Sequence, residues 1–374
     1  MLPTVAATVL ALAASVVLTL AGWGAPVAVA HLAFAVGIVP LIVAAMSHFV
    51  PVLTRTGEPS RPIRLLPAVA QGAGLLAVAS MAGLVPRSGL HLAATADFLV
   101  AATMLGWVAG RARRCLGQPH PGWRWYGAAL ACLLLTMAAV PVMAGWPEHY
   151  SSLRAFHLHG NMLGLVALAA LGTLPVLLPT ALGKPDPEAA GWLRRYFWFA
   201  VAAVVTLAVG VACCWLSALV GAGLWLGVLV ALVLQWRRRF GFTAILRDGA
   251  AAPLLAAVAG LAFLFIAGVG HGTGLVPARP AIAAWGAGFL LPLVTGALTQ
   301  LLPVWRWPGP ATPARAVMRG RMAWGGRWRA AYFLVAGIAL AGGLPVAGGL
   351  AAGIGMGGFL LALIRAVRVP ASAR

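Results

Sequence analysis

The stretch Ala155-Phe156-His157-Leu158-His159-Gly160-Asn161-Met162-Leu163-Gly164-Leu165-Val166-Ala167-Leu168-Ala169-Ala170-Leu171-Gly172-Thr173-Leu174-Pro175-Val176-Leu177 holds no acidic residue, lysine or arginine. A helix needs about 20 apolar residues to cross the hydrocarbon core of a bilayer. This run exceeds that length and shows no polar stripe that water would require. It reads as a membrane-spanning helix that carries two histidines near its start.

Working outward, comparable apolar runs fall at about 3–22, 26–53, 65–85, 90–110, 125–145, 153–181, 193–217, 220–236, 252–270, 281–304, 330–344 and 346–366. In lipid the backbone must satisfy its own hydrogen bonds, so these runs are expected to be helices rather than open strands. Composition agrees: 62% of residues are hydrophobic, 9% are charged and mean hydropathy is +0.96. A soluble domain carries roughly 25% charged residues. The expected fold is an all-α integral membrane protein, one transmembrane domain over residues 1–374 with about twelve transmembrane helices. The stretch Met1 to Ala25 lacks the basic start of a signal peptide and reads as the first span.

The net charge of +20 would suggest nucleic acid in a soluble chain. Here it has a different reading, because basic residues mark the cytoplasmic loops of a membrane protein. With both termini cytoplasmic, the inner segments hold 23 of the basic residues, among them Arg55, Arg111, Lys184, Arg237, Arg306, Arg365 and Arg374. Only Arg87, Arg154 and Arg279 fall outside. This split predicts a multi-pass protein of a bacterial-type inner (plasma) membrane, with lipid rather than nucleic acid as its partner. The Arg- and Trp-rich stretch Trp305 to Arg329 reads as an anchor at the anionic headgroups.

Three similar segments recur. Met46-Ser-His-Phe-Val-Pro51-Val-Leu, Leu171-Gly-Thr-Leu-Pro175-Val-Leu and Leu298-Thr-Gln-Leu-Leu-Pro303-Val-Trp place their prolines 124 and 128 residues apart. Each proline is expected to close the second helix of a four-helix block. The chain therefore reads as three pseudo-repeated four-helix units, about 1–124, 125–249 and 250–374. Parallel repeats about an axis normal to the membrane are a known architecture.

Ionisable groups within a membrane are functional candidates by default. His31, His91, His149, His157, His159 and His271 all fall at or near the outer ends of predicted helices. Two positions apart on a helix means about 200° around its axis, so His157 and His159 should face different neighbours. The repeat offset sets His31 opposite Ala155, within a turn of His157. His31 and His157 are thus the expected pair for a haem between helices two and six, with His159 toward a second haem or metal. His91 and His271 are candidate metal ligands on separate helices. Asp97 is the only carboxylate inside a predicted helix, a proton-relay group or an orienting partner for a ligating histidine. Asn161 is expected to hydrogen-bond between helices. Cys115, Cys132, Cys213 and Cys214 read as small core hydrophobes. No nucleotide-binding loop, nucleophile elbow or zinc-protease motif occurs.

His157-Leu-His159 followed by Gly164, Gly172, Pro179 and Gly183 resembles the H-x-H helix of the haem–copper oxidase subunit I superfamily. Its spacing is closest to that of the NnrS family, membrane proteins linked to nitric-oxide stress and reported to contain haem and copper. The resemblance covers helices two and six by motif, and otherwise only the helix count. It implies haem, with copper as a further cofactor, an electron-donor protein or quinone as partner, and redox or nitric-oxide-related chemistry. In that superfamily one histidine of the H-x-H pair binds a low-spin haem and the other a high-spin haem. The sequence departs from an oxidase in having no adjacent His-His, no His-Pro-Glu-Val-Tyr segment and no histidine between Gly160 and Gly270. A full three-histidine copper centre is therefore missing, and no catalytic residue is assigned. The competing expectations are a transporter for copper, haem or another small solute, and a non-catalytic membrane subunit.

Overall fold

The computed structural model describes residues 1–275 and 281–369, and no strand occurs among them. Arg279 and Arg374, assigned above to the outer and inner sides, lie outside the described residues. In chain order the helices are α1 (Leu2–Ala21), α2 (Pro26–Thr54), α3 (Arg61–Met81), α4 (Ser88–Arg113), α5 (Gly122–Gly145), α6 (Pro147–Ala181), α7 (Ala189–Cys213) and α8 (Trp215–Phe240). There follow α9 (Phe242–Arg247), α10 (Ala251–Gly272), α11 (Ala281–Arg306), α12 (Pro313–Ala323), α13 (Gly326–Ala341) and α14 (Pro345–Val367). This is an all-helical, multi-pass membrane architecture: among the described residues, 11 of the helices are long and apolar enough to cross a bilayer.

The count differs from twelve at one place. The run read at 330–344 forms α13, whose 16 residues reach about 24 Å at 1.5 Å per residue. Its end is set by Gly343, at φ 77. A left-handed residue there lets Leu344 N–H reach back to Ala339 O at 2.8 Å, closing the helix. The break between α7 and α8 falls at Cys214, in extended backbone, rather than near Leu219. Gly221 explains the shift, because a Cβ there would lie 2.6 Å from Leu207 N, so only glycine permits so close a hairpin.

The repeated prolines sit inside their helices. The chain stays helical past Pro51 to Thr54, past Pro175 to Ala181 and past Pro303 to Arg306. A proline so near a C-terminus removes one backbone donor without stopping the last turn. A different irregularity marks the same three helices. Each contains a π-helical segment: Leu32–Ile38 in α2, Gly160–Ala167 in α6 and Gly286–Leu290 in α11. Each segment also contains a glycine against the preceding spanning helix. Thr8 of α1 donates to Gly37 O at 2.8 Å, a Cβ on Gly164 would stand 2.6 Å from Cys132 Cβ of α5, and Gly288 meets Gly260 of α10.

The chain divides into two compact units. The first comprises residues 3–173 and 188–228 with Met1, the second 174–187 and 229 onward with Leu2. In the first, α3 packs on α4, α4 on α5, and α5 on the π segment of α6. Its fully buried large side chains include Trp125, Met46, Met104, Leu130 and Leu133. In the second, α13 packs on α14 and α10, around Phe289, Phe333 and Phe359.

Candidate functional site

Three histidines of the first unit share one hydrogen-bonding pattern. His31 Nδ1 lies 2.8 Å from Val27 O, one turn back on its own helix. His159 Nδ1 lies 2.8 Å from Ala155 O, again one turn back. His157 Nδ1 lies 3.0 Å from Thr136 O on α5. A carbonyl oxygen only accepts, so Nδ1 carries the proton in each ring. The neutral imidazole then presents its lone pair at Nε2, the tautomer suited to ligating a metal. Among the described residues, neither His31 nor His157 makes another side-chain hydrogen bond.

His31 and His157 belong to the same unit, and the charge of His31 reaches His157. Both are half-buried. His31 and His159 also occupy matching places: each is the last residue before a π segment. The π segments thus align His31 with His159, where the repeat offset had set His31 opposite Ala155.

Asn161 holds the turn after the histidine pair. Its Nδ2 donates to His157 O at 2.8 Å, a carbonyl that also accepts from Gly160 N–H at the start of the π segment. Its Oδ1 lies 3.1 Å from Thr136 Oγ1, a hydroxyl that also stands 3.0 Å from Leu133 O and shares one proton between the two acceptors. Thr136 therefore supports His157 through its carbonyl and Asn161 through its hydroxyl. Sequence reading missed Thr136, since a threonine in an apolar helix ordinarily bonds its own backbone. Gly160 and Gly164 allow this contact: Cβ atoms there would meet Thr136 Cγ2 at 2.5 Å and Cys132 Cβ at 2.6 Å.

His91 is exposed near the start of α4, where Thr95 Oγ1 donates to its carbonyl at 2.8 Å. His271 is exposed in the last turn of α10, in the second unit. No group of three or more His, Cys, Asp or Glu residues suited to a metal occurs among the described residues. Asp97 is buried in α4, its Oδ1 without a hydrogen-bond partner among the described residues. The three imidazoles are thus the nitrogen donors available in the first unit for a group such as haem, whereas a bare ion needs three or four ligands gathered at one point.

The chain matches no family model, no curated protein and no solved structure.

Proposed function

We propose that this protein is a membrane haem protein in which His31 and His157 hold the haem and His159 faces a second haem or metal. The observation that carries the reading is the common tautomer of the three rings, which leaves Nε2 of each as the ligating nitrogen. Haem held by these two histidines would supply an iron centre able to exchange electrons, and a diatomic gas such as nitric oxide would be taken at the second haem or metal that His159 faces. The protein's own residues do the rest. Val27 O, Ala155 O and Thr136 O orient the rings, and Asn161 keeps the π turn in register. The electron donor in this reading is a protein or a quinone, and copper is a further cofactor.

The reading includes twelve crossings in three four-helix units, with both termini on the cytoplasmic face of an inner membrane. Contacts among helix ends support it by parity. In the first unit Arg111 at the end of α4 donates to Gly57 O at 2.7 Å, and His120 N–H before α5 donates to Leu53 O at 2.9 Å. In the second, Arg306 at the end of α11 donates to Val367 O at the end of α14, 2.9 Å away. Ends that touch lie on one side of the membrane, so an even number of crossings separates them. Between α11 and α14 this supports reading α13 as a twelfth, short crossing. The three glycine-bearing π segments, beginning at residues 32, 160 and 286, support the repeat.

The test is an optical spectrum of protein purified from haem-replete cells. A Soret band is expected, lost or strongly weakened in His31→Ala and His157→Ala, and altered in shape in His159→Ala. Colourless wild-type protein rejects the reading. Metal flux into proteoliposomes by such colourless protein would favour the transporter instead.

A further inference from the structure

Asp97 lies in α4, the tenth residue of a 26-residue span, and is 6% exposed. Its Oδ1 is buried with no hydrogen-bond partner among the described residues. It follows Ala93 by four residues and so shares that residue's face of the helix. On that face Ala93 forms a cluster with Ala73 and Ala77 of α3. The neighbours of Asp97 along α4, Ala94, Val100 and Ala101, are also buried. The carboxyl thus stands in an apolar seam between helices.

The elements packed against α4 are α3, α5 and the Val39–Thr54 part of α2. Their titratable and charged groups are Arg61 and Arg64 in the first turn of α3, Arg124, Tyr126 and Cys132 on α5, and His48 on α2. Within α4 itself they are His91, Arg111 and Arg113, with Arg87 capping it. None forms an ion pair or hydrogen bond with Asp97. Ser80 Oγ is also buried and unpartnered, but it sits beside Gly89, two turns from Asp97.

We propose that Asp97 is an intramembrane proton-binding site, its carboxyl carrying one proton in the folded protein. An ionised carboxylate placed among alanines, without a cation or donor, is the least stable state such a group has. A metal cation does not substitute, because hard cations require several oxygen ligands, and the seam supplies no second carboxylate. Proton binding neutralises the group without any partner. The site releases its proton only when the α3–α4 seam admits water or another acceptor. The inference is independent of haem.

Infrared spectroscopy of the purified full-length protein in an ester-free maltoside detergent tests it. The chain has only six acidic residues, and the other five lie in loops or at helix ends. At neutral pH one carboxylic-acid C=O band is expected. It should shift on carboxyl-¹³C labelling of aspartate, vanish in Asp97→Asn and disappear as the pH is raised. The labelled wild-type spectrum stands by itself should Asp97→Asn fail to fold. No aspartic-acid band at neutral pH in the wild-type protein overturns the proposal, as does a band that persists unchanged in folded Asp97→Asn.

Discussion

His157 Nδ1 donates to the main-chain carbonyl of Thr136, 3.0 Å away on the neighbouring helix. Because the acceptor is backbone, the side chain at position 136 can change while the ring keeps its anchor. What the Thr136 hydroxyl contributes is its contact with Asn161 Oδ1. Thr136→Ala should therefore keep the ring orientation and lose about 1 kcal/mol of stability. Asn161→Leu should cost more, roughly 1–3 kcal/mol, because it removes both the side-chain donor to His157 O and the acceptor of the Thr136 hydroxyl. Thermal unfolding in detergent gives the stability order. Haem stoichiometry should fall in Asn161→Leu and hold in Thr136→Ala.

The Gly164–Cys132 contact predicts a compensating pair. A methyl at position 164 would sit 2.6 Å from Cys132 Cβ. Gly164→Ala should destabilise by about 1–3 kcal/mol through overpacking. Cys132→Gly removes the opposing atom, and the double variant should recover most of the loss. Additive effects in a double-mutant cycle would show that the helices do not meet there.

Asp248 performs two tasks in the second unit. Its Oδ1 accepts from Ala250 N and Ala251 N at 2.8 and 2.9 Å at the start of α10, and its Oδ2 pairs with Arg319 at 3.0 Å. Arg319 also donates to Gln300 Oε1 at 2.7 Å and to Ala181 O. Asp248→Asn keeps a cap and loses the ion pair, whereas Asp248→Ala loses both. The alanine variant should be the less stable by about 1 kcal/mol, read as the difference in unfolding midpoint.

His120 predicts an acid sensitivity. It lies between α4 and α5, outside the spanning segments, and its Nδ1 accepts from Gly122 N–H at 3.3 Å. Burial, and then the nearby charge of Arg194, hold the imidazole below its ordinary range. The folded state therefore favours the neutral ring. The contribution is fully present above the unfolded histidine range, and is lost as the pH falls through that range toward the lowered folded value. Wild-type protein should lose more thermal stability between pH 8 and pH 5, arbitrary test values about 1.5 units either side of the free imidazole, than His120→Asn does. An equal loss in both would remove His120 as the cause.

The native cysteines report the orientation proposed above. Cys213 and Cys214 are exposed where α7 meets α8, and Cys115 is half-buried after α4. In single-cysteine variants, an impermeant maleimide added to intact cells should label Cys214 and leave Cys115 unlabelled until the membrane is opened. The reverse pattern would invert the topology.

The sequence by itself determined the solvent and therefore the fold class. An apolar chain with so few charges has only helices to offer a bilayer, because lipid accepts no backbone hydrogen bonds. It also singled out the histidines and Asp97, since an ionisable group stands out in an apolar run. Other features needed the tertiary structure. Nothing in Gly164 or Thr136 as letters shows that α5 passes within contact of α6, because a close approach belongs to two helices at once. The π segments were hidden for a similar reason: a one-residue widening of a helix leaves hydropathy unchanged and is held by partners such as Asn161 and Thr8. That all three rings carry their proton on Nδ1 depends on where carbonyls of the folded backbone point. The short length of α13 was likewise decided locally, by a left-handed glycine.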